Sequence, residues 1–216
     1  ITYEEMKKKI KTYTYPYKYL ISENFLSREN LKNFFLLNSA LKKKSGNVQK
    51  KLNNKTLSSK RSLLRFVENN KIIEKKNTKK WFFYKQIKNN INYNLDKKIN
   101  KPLGLDKKII SKGTMNISIC WDKRGYQSLP HTDSERKIWT GIIYLFDDNE
   151  NKSGTKILKK NKSKNTFKSI KTITPKINRF FALKRSNISY HSVVKSKKNR
   201  IIILINFNYK NNIYEK

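Results

Sequence analysis

The sequence predicts a mainly β protein with flanking helices: an antiparallel barrel or sandwich from about residue 111 onward, preceded by a helical support region. Three observations lead there. Short runs rich in β-branched and aromatic residues, separated by turn residues, recur from Lys112 to near the end of the chain. Before that point the apolar residues fall at helical spacing. The length of 216 residues suits one domain with a real core. We read residues 1–216 as a single domain, with 1–110 an N-terminal strand and helical support and 111–209 the β core.

Taken in order, residues 1–12 are charged and predict a helix, and the Tyr-rich run 13–19 around Pro16 is β-prone. Residues 19–21 read as a short strand leading into a helix. Ser27 is the N-cap, Glu29 sits favourably in the first turn, and Leu31, Phe34, Phe35 and Leu37 follow near helical spacing. Residues 42–60 are Lys, Asn and Ser with few large apolar side chains, which predicts a loop. Residues 62–74 predict a second helix. Trp81 to Tyr84 with Ile87 and Ile91 predict another, ending in the Asn-rich stretch 89–94, and Pro102 and Gly104 punctuate the chain beyond it. Strands are then expected over 114–121, 139–146, 155–158, 169–173, 179–183, 189–194 and 200–207. No internal repeat is present.

The formal charge is +36, from 51 Lys and Arg against 15 Asp and Glu. Such an excess ordinarily points to nucleic acid or an anionic surface. Here it is carried mostly by Lys along the whole chain, with Asn and Ile abundant and Gly and Pro scarce, a skew that AT-rich coding produces without selection for binding. The single cysteine, Cys120, excludes an intramolecular disulfide and a Cys-based zinc site. Its neighbours Ile117, Ile119 and Trp121 suggest a buried strand thiol without a role. No apolar run approaches the ~20 residues of a membrane span and no signal-peptide pattern opens the chain, so the expectation is a cytoplasmic protein.

The chemistry is expected around the stretch GYQSLPHTDSERKIWTGIIYL, residues 125–145. His131 and Asp133 are two apart, and a strand places such residues on one face, ~6.6 Å apart. The only other histidine is His191. Two imidazoles and one carboxylate make the facial triad that suits non-haem Fe(II) and leaves coordination positions open. Spacing alone does not bring His191 to the other two, and a lone His-x-Asp is a weak pattern.

Five blocks in order, GYQSLPHTD, TGIIYL, SGTKIL, NRFFAL and YHSVVKSKKNRIIILINF, resemble the motifs of the Fe(II)/2-oxoglutarate-dependent dioxygenases, particularly their prolyl-hydroxylase-like branch. The resemblance covers about residues 111–208, and YPYKYLISENFLSRENLKNFF is similar to the opening strand and helix of that family; nothing between 41 and 110 is recognisable. It implies a double-stranded β-helix (jelly-roll) core supported by N-terminal helices. It also implies an oxygenase that uses Fe(II), 2-oxoglutarate and O2, with ascorbate as an accessory reductant. His131, Asp133 and His191 would be the metal ligands, Arg200 would bind the far carboxylate of 2-oxoglutarate, and Tyr144 would give a hydroxyl to the same carboxylate. The family often has glycine where Asn178 and Ser192 stand; Asn tolerates turn geometry, and a small Ser need not disturb the metal.

Arg suits the carboxylate because its planar fork binds both oxygens, whereas Lys offers a point charge. If residues 196–199 form a hairpin turn, Lys195 faces Arg200 and His191 lies on the same side of the sheet. With Asp133 as a third protein ligand, the resemblance implies hydroxylation or a related oxidation, on a small molecule or a protein side chain. The nucleic-acid-demethylating branch ranks lower, because its further arginine is missing from RIIILINF. Asn116, Ser118, Arg124 and Tyr126 are candidate pocket residues. The competing reading is a basic nucleic-acid-binding module with incidental histidines; a metal-dependent cupin that uses no 2-oxoglutarate is a third, lacking the denser histidine pattern.

Overall fold

Alternation along the strands after residue 111 sorts their side chains into two layers, and both layers are buried. The computed structural model describes residues 10–47, 60–148, 153–161 and 163–210. In strand β6 (Gly113–Asp122), Ile117, Ile119 and Trp121 face one apolar cluster, while Cys120 faces a second. Strand β13 (Arg200–Tyr209) repeats the pattern, with Ile203 and Ile205 in the first cluster and Ile202 in the second. A strand buried on both faces reads as a near-continuous apolar run, which is why RIIILINF shows no polar alternation.

Two antiparallel sheets enclose the second cluster. The larger has nine strands among the described residues. Its order begins with the hairpin β1 (Ile10–Tyr13) and β2 (Tyr19–Ser22) and passes through β11 (Phe180–Lys184), β8 (Lys137–Tyr144), β13 and β6. It ends at β4 (Arg61–Glu68) and β3 (Gly46–Asn47), with β5 (Lys71–Ile72) paired to β4. The smaller runs β10 (Thr166–Ile173), β9 (Thr155–Asn161), β12 (His191–Val193) and β7 (Ser128–His131). This is the expected double-stranded β-helix: mainly β, with flanking helices.

Helices cover the outer face of the larger sheet. Helix α1 (Arg28–Lys43) starts as its sequence dictates: the Ser27 hydroxyl accepts the Asn30 N–H, Glu29 lies in the first turn, and Lys42 and Lys43 lie in the last. Phe34 and Leu41, seven apart, are buried. Helix α2 (Lys79–Asn94), capped by Thr78, buries Phe83, Ile87 and Ile91 on one stripe. Phe66 of β4 stacks on Tyr84 of α2 with ring centroids 4.5 Å apart, which fastens helix to sheet. A π-helical turn, Leu95–Asn100, and the short α3 (Lys107–Ser111) lead into β6.

The N-terminal region departs from expectation in two places. Of the predicted first helix, residues 1–9 lie outside the described residues, and residues 10–12 are strand. Pairing of Ile10 with Ser22 and a Tyr13–Tyr19 ring stack at 4.6 Å override the local charge pattern. Residues 62–74, predicted helical, form the β4–β5 hairpin. Its turn residues Asn69 and Asn70 have φ of 46° and 66°, the left-handed pair of a type I′ turn. Asn70 also accepts the Met115 N–H, and Asn116 accepts the Asn69 N–H, so the turn is bonded to β6. Beside the expected strand at 19–21, which is β2, the support region thus contributes β1 and β4 to the larger sheet. Of the predicted loop, residues 48–59 lie outside the described residues.

Candidate active site

His131 ends β7 and His191 begins β12, and the two residues are direct cross-strand partners with ring centroids 4.4 Å apart. The strand stops at His131, so Asp133 sits in the chain just beyond it, buried. One ligating atom from each of His131, Asp133 and His191 can be chosen so that all lie within 4.8 Å of one another. The three predicted ligands thus converge, and the sixty-residue gap to His191 is closed by sheet pairing.

Each side chain is oriented for metal binding. Nδ1 of His191 lies 3.0 Å from the Ser189 carbonyl oxygen, and Nδ1 of His131 lies 2.8 Å from the Leu129 carbonyl oxygen. A carbonyl only accepts, so both Nδ1 atoms carry the proton and both Nε2 atoms keep a lone pair for an ion. Burial pushes the His191 pKa down to about 4, with His131 adding to the effect and Asp133 opposing it. The imidazole is therefore neutral at pH 7, as a ligand must be. Burial raises the pKa of the Asp133 carboxyl, but Lys137, His191 and the Thr140 hydroxyl outweigh it and hold the group at about 2. Lys137 Nζ donates to Oδ1 at 2.7 Å and Thr140 donates to Oδ2 at 2.7 Å. Tyr17 gives its hydroxyl to the Tyr190 carbonyl at 2.7 Å, tying the β1–β2 hairpin to the residue before His191.

Arg200 is completely buried, and the hairpin that was to position it does not form. Strands β12 and β13 lie in different sheets, because the chain leaves the smaller sheet after Val193 and enters the larger one between β6 and β8. Asp122 of β6, not Lys195, is the cross-strand partner of Arg200. Residues directly opposite share a face, so Arg200 points inward by this different route. Its Nε, Nη1 and Nη2 find no hydrogen-bond partner among the described residues. The nearest carboxylate oxygen, Oδ2 of Asp122, is 3.8 Å from Nε, beyond hydrogen-bond distance. The rings of Tyr126 and Phe146 each lie 5.7 Å from its Cζ.

Asp122 is occupied on its other side. Arg61 of β4 donates Nε to Oδ1 at 2.5 Å and Nη2 to Oδ2 at 2.8 Å, a bidentate pair. Arg61, Asp122 and Arg200 therefore form one row across three strands, two cations around one anion. A buried cation without full compensation costs several kcal/mol, so the row is short of one carboxylate.

Tyr144 is fully buried on the inner face of β8, where its hydroxyl and that of Thr155 on β9 are 2.8 Å apart. Burial raises its pKa, opposed by Thr155 and by the nearby Arg200 charge, and it stays a phenol able to donate. Thr140, which holds Asp133, is on the same face of the same strand, and Ile202 beside Arg200 is the cross-strand partner of Tyr144. Asp133, His191 and the guanidinium without a hydrogen bond thus share one interior, with His131 exposed at the end of β7.

Among the candidate pocket residues, Tyr126 belongs to the arginine cluster, with Arg61 Cζ 4.2 Å above its ring. Ser118 is buried, and Asn116 serves the β4–β5 turn. Arg124 donates its backbone N–H to Asn199. Cys120 is buried with its thiol pushed up to about 11 by burial, and Asn178 takes a φ of 67° while its side chain bonds the Leu26 backbone at 2.6 and 2.9 Å. Arg61, Asp122, Lys137 and Thr140 were missed. The available signal was a charged residue at each end of otherwise apolar strands, Asp122 closing one and Arg200 opening the other.

No family model and no curated protein sequence matches the chain. Solved structures do. A prolyl hydroxylase from Trichoplax adhaerens, in complex with a hypoxia-inducible-factor oxygen degradation domain peptide, matches with a TM-score of 0.60 at 16% identity, over 88% of this chain and 83% of that one. The collagen prolyl hydroxylase of Paramecium bursaria Chlorella virus 1, as its 2-oxoglutarate complex, matches at 0.53 and 16%, over 89% and 96%. The fold is that of the Fe(II)/2-oxoglutarate oxygenases. The non-haem α-ketoglutarate-dependent epimerase SnoN of nogalamycin biosynthesis also matches, at 0.58 and 8% identity, over 91% and 82%. One fold carries hydroxylation and epimerisation in these proteins, so the reaction is set by the residues around the site.

Proposed function

We propose that this protein is an Fe(II)- and 2-oxoglutarate-dependent oxygenase that hydroxylates a C–H bond of a small molecule or protein side chain, releasing succinate and CO2. The observation that carries the reading is the buried Arg200 fork without a hydrogen-bond partner, in the interior onto which His131, Asp133 and His191 converge. The donor set fits the metal: two imidazole nitrogens and an ionised carboxylate suit Fe(II). The orphaned guanidinium fits a dicarboxylate, since its donors would bind both oxygens of the far carboxylate.

Bound there, iron and 2-oxoglutarate would supply oxygen activation coupled to oxidative decarboxylation. The chain supplies the rest. Nε2 of His131 and His191 and the Asp133 carboxylate would hold the ion, with Thr140 and the two backbone carbonyls fixing their orientation. Lys137 keeps Asp133 ionised. Arg200 would anchor the cosubstrate, and Tyr144 has hydroxyl capacity left to reach the same carboxylate. Ile157, Ile202 and Leu183 make the surrounding interior apolar, which strengthens those charges by keeping water away.

The test is anaerobic binding of Fe(II), then of 2-oxoglutarate, followed by succinate formation against a panel of small molecules and peptides. Iron and 2-oxoglutarate binding with substrate-dependent succinate release is expected. Iron-loaded protein that ignores 2-oxoglutarate would refute the assignment.

A further inference from the structure

We propose that Arg61 is a positioning residue for the cosubstrate: by occupying both oxygens of Asp122 it keeps the Arg200 guanidinium free to receive a ligand carboxylate. The inference rests on the reading that Arg200 anchors 2-oxoglutarate, and extends it to a residue on a different strand.

Asp122 sits between two arginines at the same level of the sheet, opposite Arg61 on β4 and opposite Arg200 on β13. Both guanidiniums lie within ion-pair distance of it, yet it hydrogen-bonds to one. Its oxygens accept from Arg61 at 2.5 and 2.8 Å, while Oδ2 stays 3.8 Å from Arg200 Nε. A shift of about 1 Å would bring that oxygen to charge-assisted hydrogen-bond distance from Arg200. Asp122 is thus a carboxylate of this chain that competes for the donors a cosubstrate needs. Tyr126 favours Arg61 in the competition, because its ring lies 4.2 Å from Arg61 Cζ and 5.7 Å from Arg200 Cζ.

The charge count agrees. With Arg61 in place the row holds two cations and one anion, and a ligand carboxylate completes it at two and two. Without Arg61 the row is already neutral, and an incoming carboxylate meets Asp122 on the donors it would use. Losing a residue that never touches the ligand should therefore weaken the ligand, and losing Asp122 as well should restore it.

The experiment is calorimetric titration of 2-oxoglutarate into the Mn(II)-loaded full chain, which needs no turnover. Wild type, Arg61→Met, Asp122→Asn with Arg61→Met, and Arg200→Met are compared, with unfolding curves for each. Arg61→Met should weaken 2-oxoglutarate binding at least about tenfold with Mn(II) affinity unchanged, and adding Asp122→Asn should bring it back to within a few-fold of wild type. A merely structural Arg61 gives a double variant no better than the single one, and that result, or wild-type affinity in Arg61→Met, overturns the proposal. If Arg61→Met does not fold, Arg61→Lys serves: it leaves one carboxylate oxygen uncommitted and should lose affinity in the same direction by less, and an unchanged affinity there refutes the idea equally. Wild-type protein that binds Mn(II) but not 2-oxoglutarate removes the cosubstrate assignment and this inference together. Loss of binding in Arg200→Met with none in Arg61→Met removes the inference alone.

Discussion

Replacing Arg200 by Met should make the protein more stable and its cosubstrate binding much weaker. Arg200 is fully buried with three nitrogens lacking hydrogen bonds among the described residues, and both oxygens of its neighbour Asp122 accept from Arg61. Met has a similar length and no charge to bury. Exchange of buried charges for apolar side chains is commonly neutral or stabilising by about 1–4 kcal/mol. Because Asp122 keeps its bidentate partner, we expect about 2 kcal/mol of gain, or a Tm higher by roughly 4–8 °C for a domain of this size. Binding moves the other way. Two charge-assisted hydrogen bonds at about 1.5–3 kcal/mol each, with about 1.4 kcal/mol per decade, predict at least a 100-fold loss of 2-oxoglutarate affinity. Arg200→Lys keeps the charge but loses the fork, so its affinity should be intermediate and its stability gain absent. Urea unfolding of the metal-free protein and 2-oxoglutarate titration of the metal-loaded protein read the two effects in one sample. A variant destabilised by about 3 kcal/mol or more, with cosubstrate affinity intact, would mean that Arg200 serves Asp122 as a structural ion pair.

Three further outcomes are expected. Thr140→Val removes the hydroxyl that holds Asp133 Oδ2 and should lower Mn(II) or Fe(II) affinity by about 10-fold, measured by competition with a chelating dye; His131→Ala should abolish it. Because His191 titrates at about 4 in the folded chain against 6.5 as its ordinary value, the unfolded chain takes a proton that the folded chain refuses. Stability of the metal-free protein should therefore fall by about 3 kcal/mol as the pH drops from 6.5 to 4. His191→Gln should flatten that slope in urea midpoints, and an unchanged slope would place the titration elsewhere. Affinity for random duplex DNA should be weak and fall steeply between low and moderate salt in filter-binding assays; tight sequence-selective binding that survives salt would favour a nucleic-acid module instead.

What sequence alone determined is what nearest neighbours along the chain decide. Ser27 caps α1 because its hydroxyl meets an N–H three residues on, and Ile87 and Ile91 lie on one stripe because a helix turns every 3.6 residues. The strands after residue 111 were legible because short β-branched and aromatic runs bounded by turn residues are local signals. The triad was legible for another reason: its residue types and the motif order around them resemble a known family.

The β4–β5 hairpin was misread because LLRFVE is apolar enough to satisfy either period, and the decisive signal was the Asn69–Asn70 turn. That one misreading hid Arg61, which opens β4: next to a helix over 62–74 instead of on a sheet strand it has no reason to meet Asp122, 61 positions away. The register of β13 was equally out of reach. A hairpin from β12 is the cheapest closure in loop entropy, yet burial of Ile202, Ile203 and Ile205 on both faces between β6 and β8 outweighs it. Strand partners are chosen by the whole buried surface, so only the tertiary structure could place two arginines around one aspartate and leave one of them without a hydrogen bond.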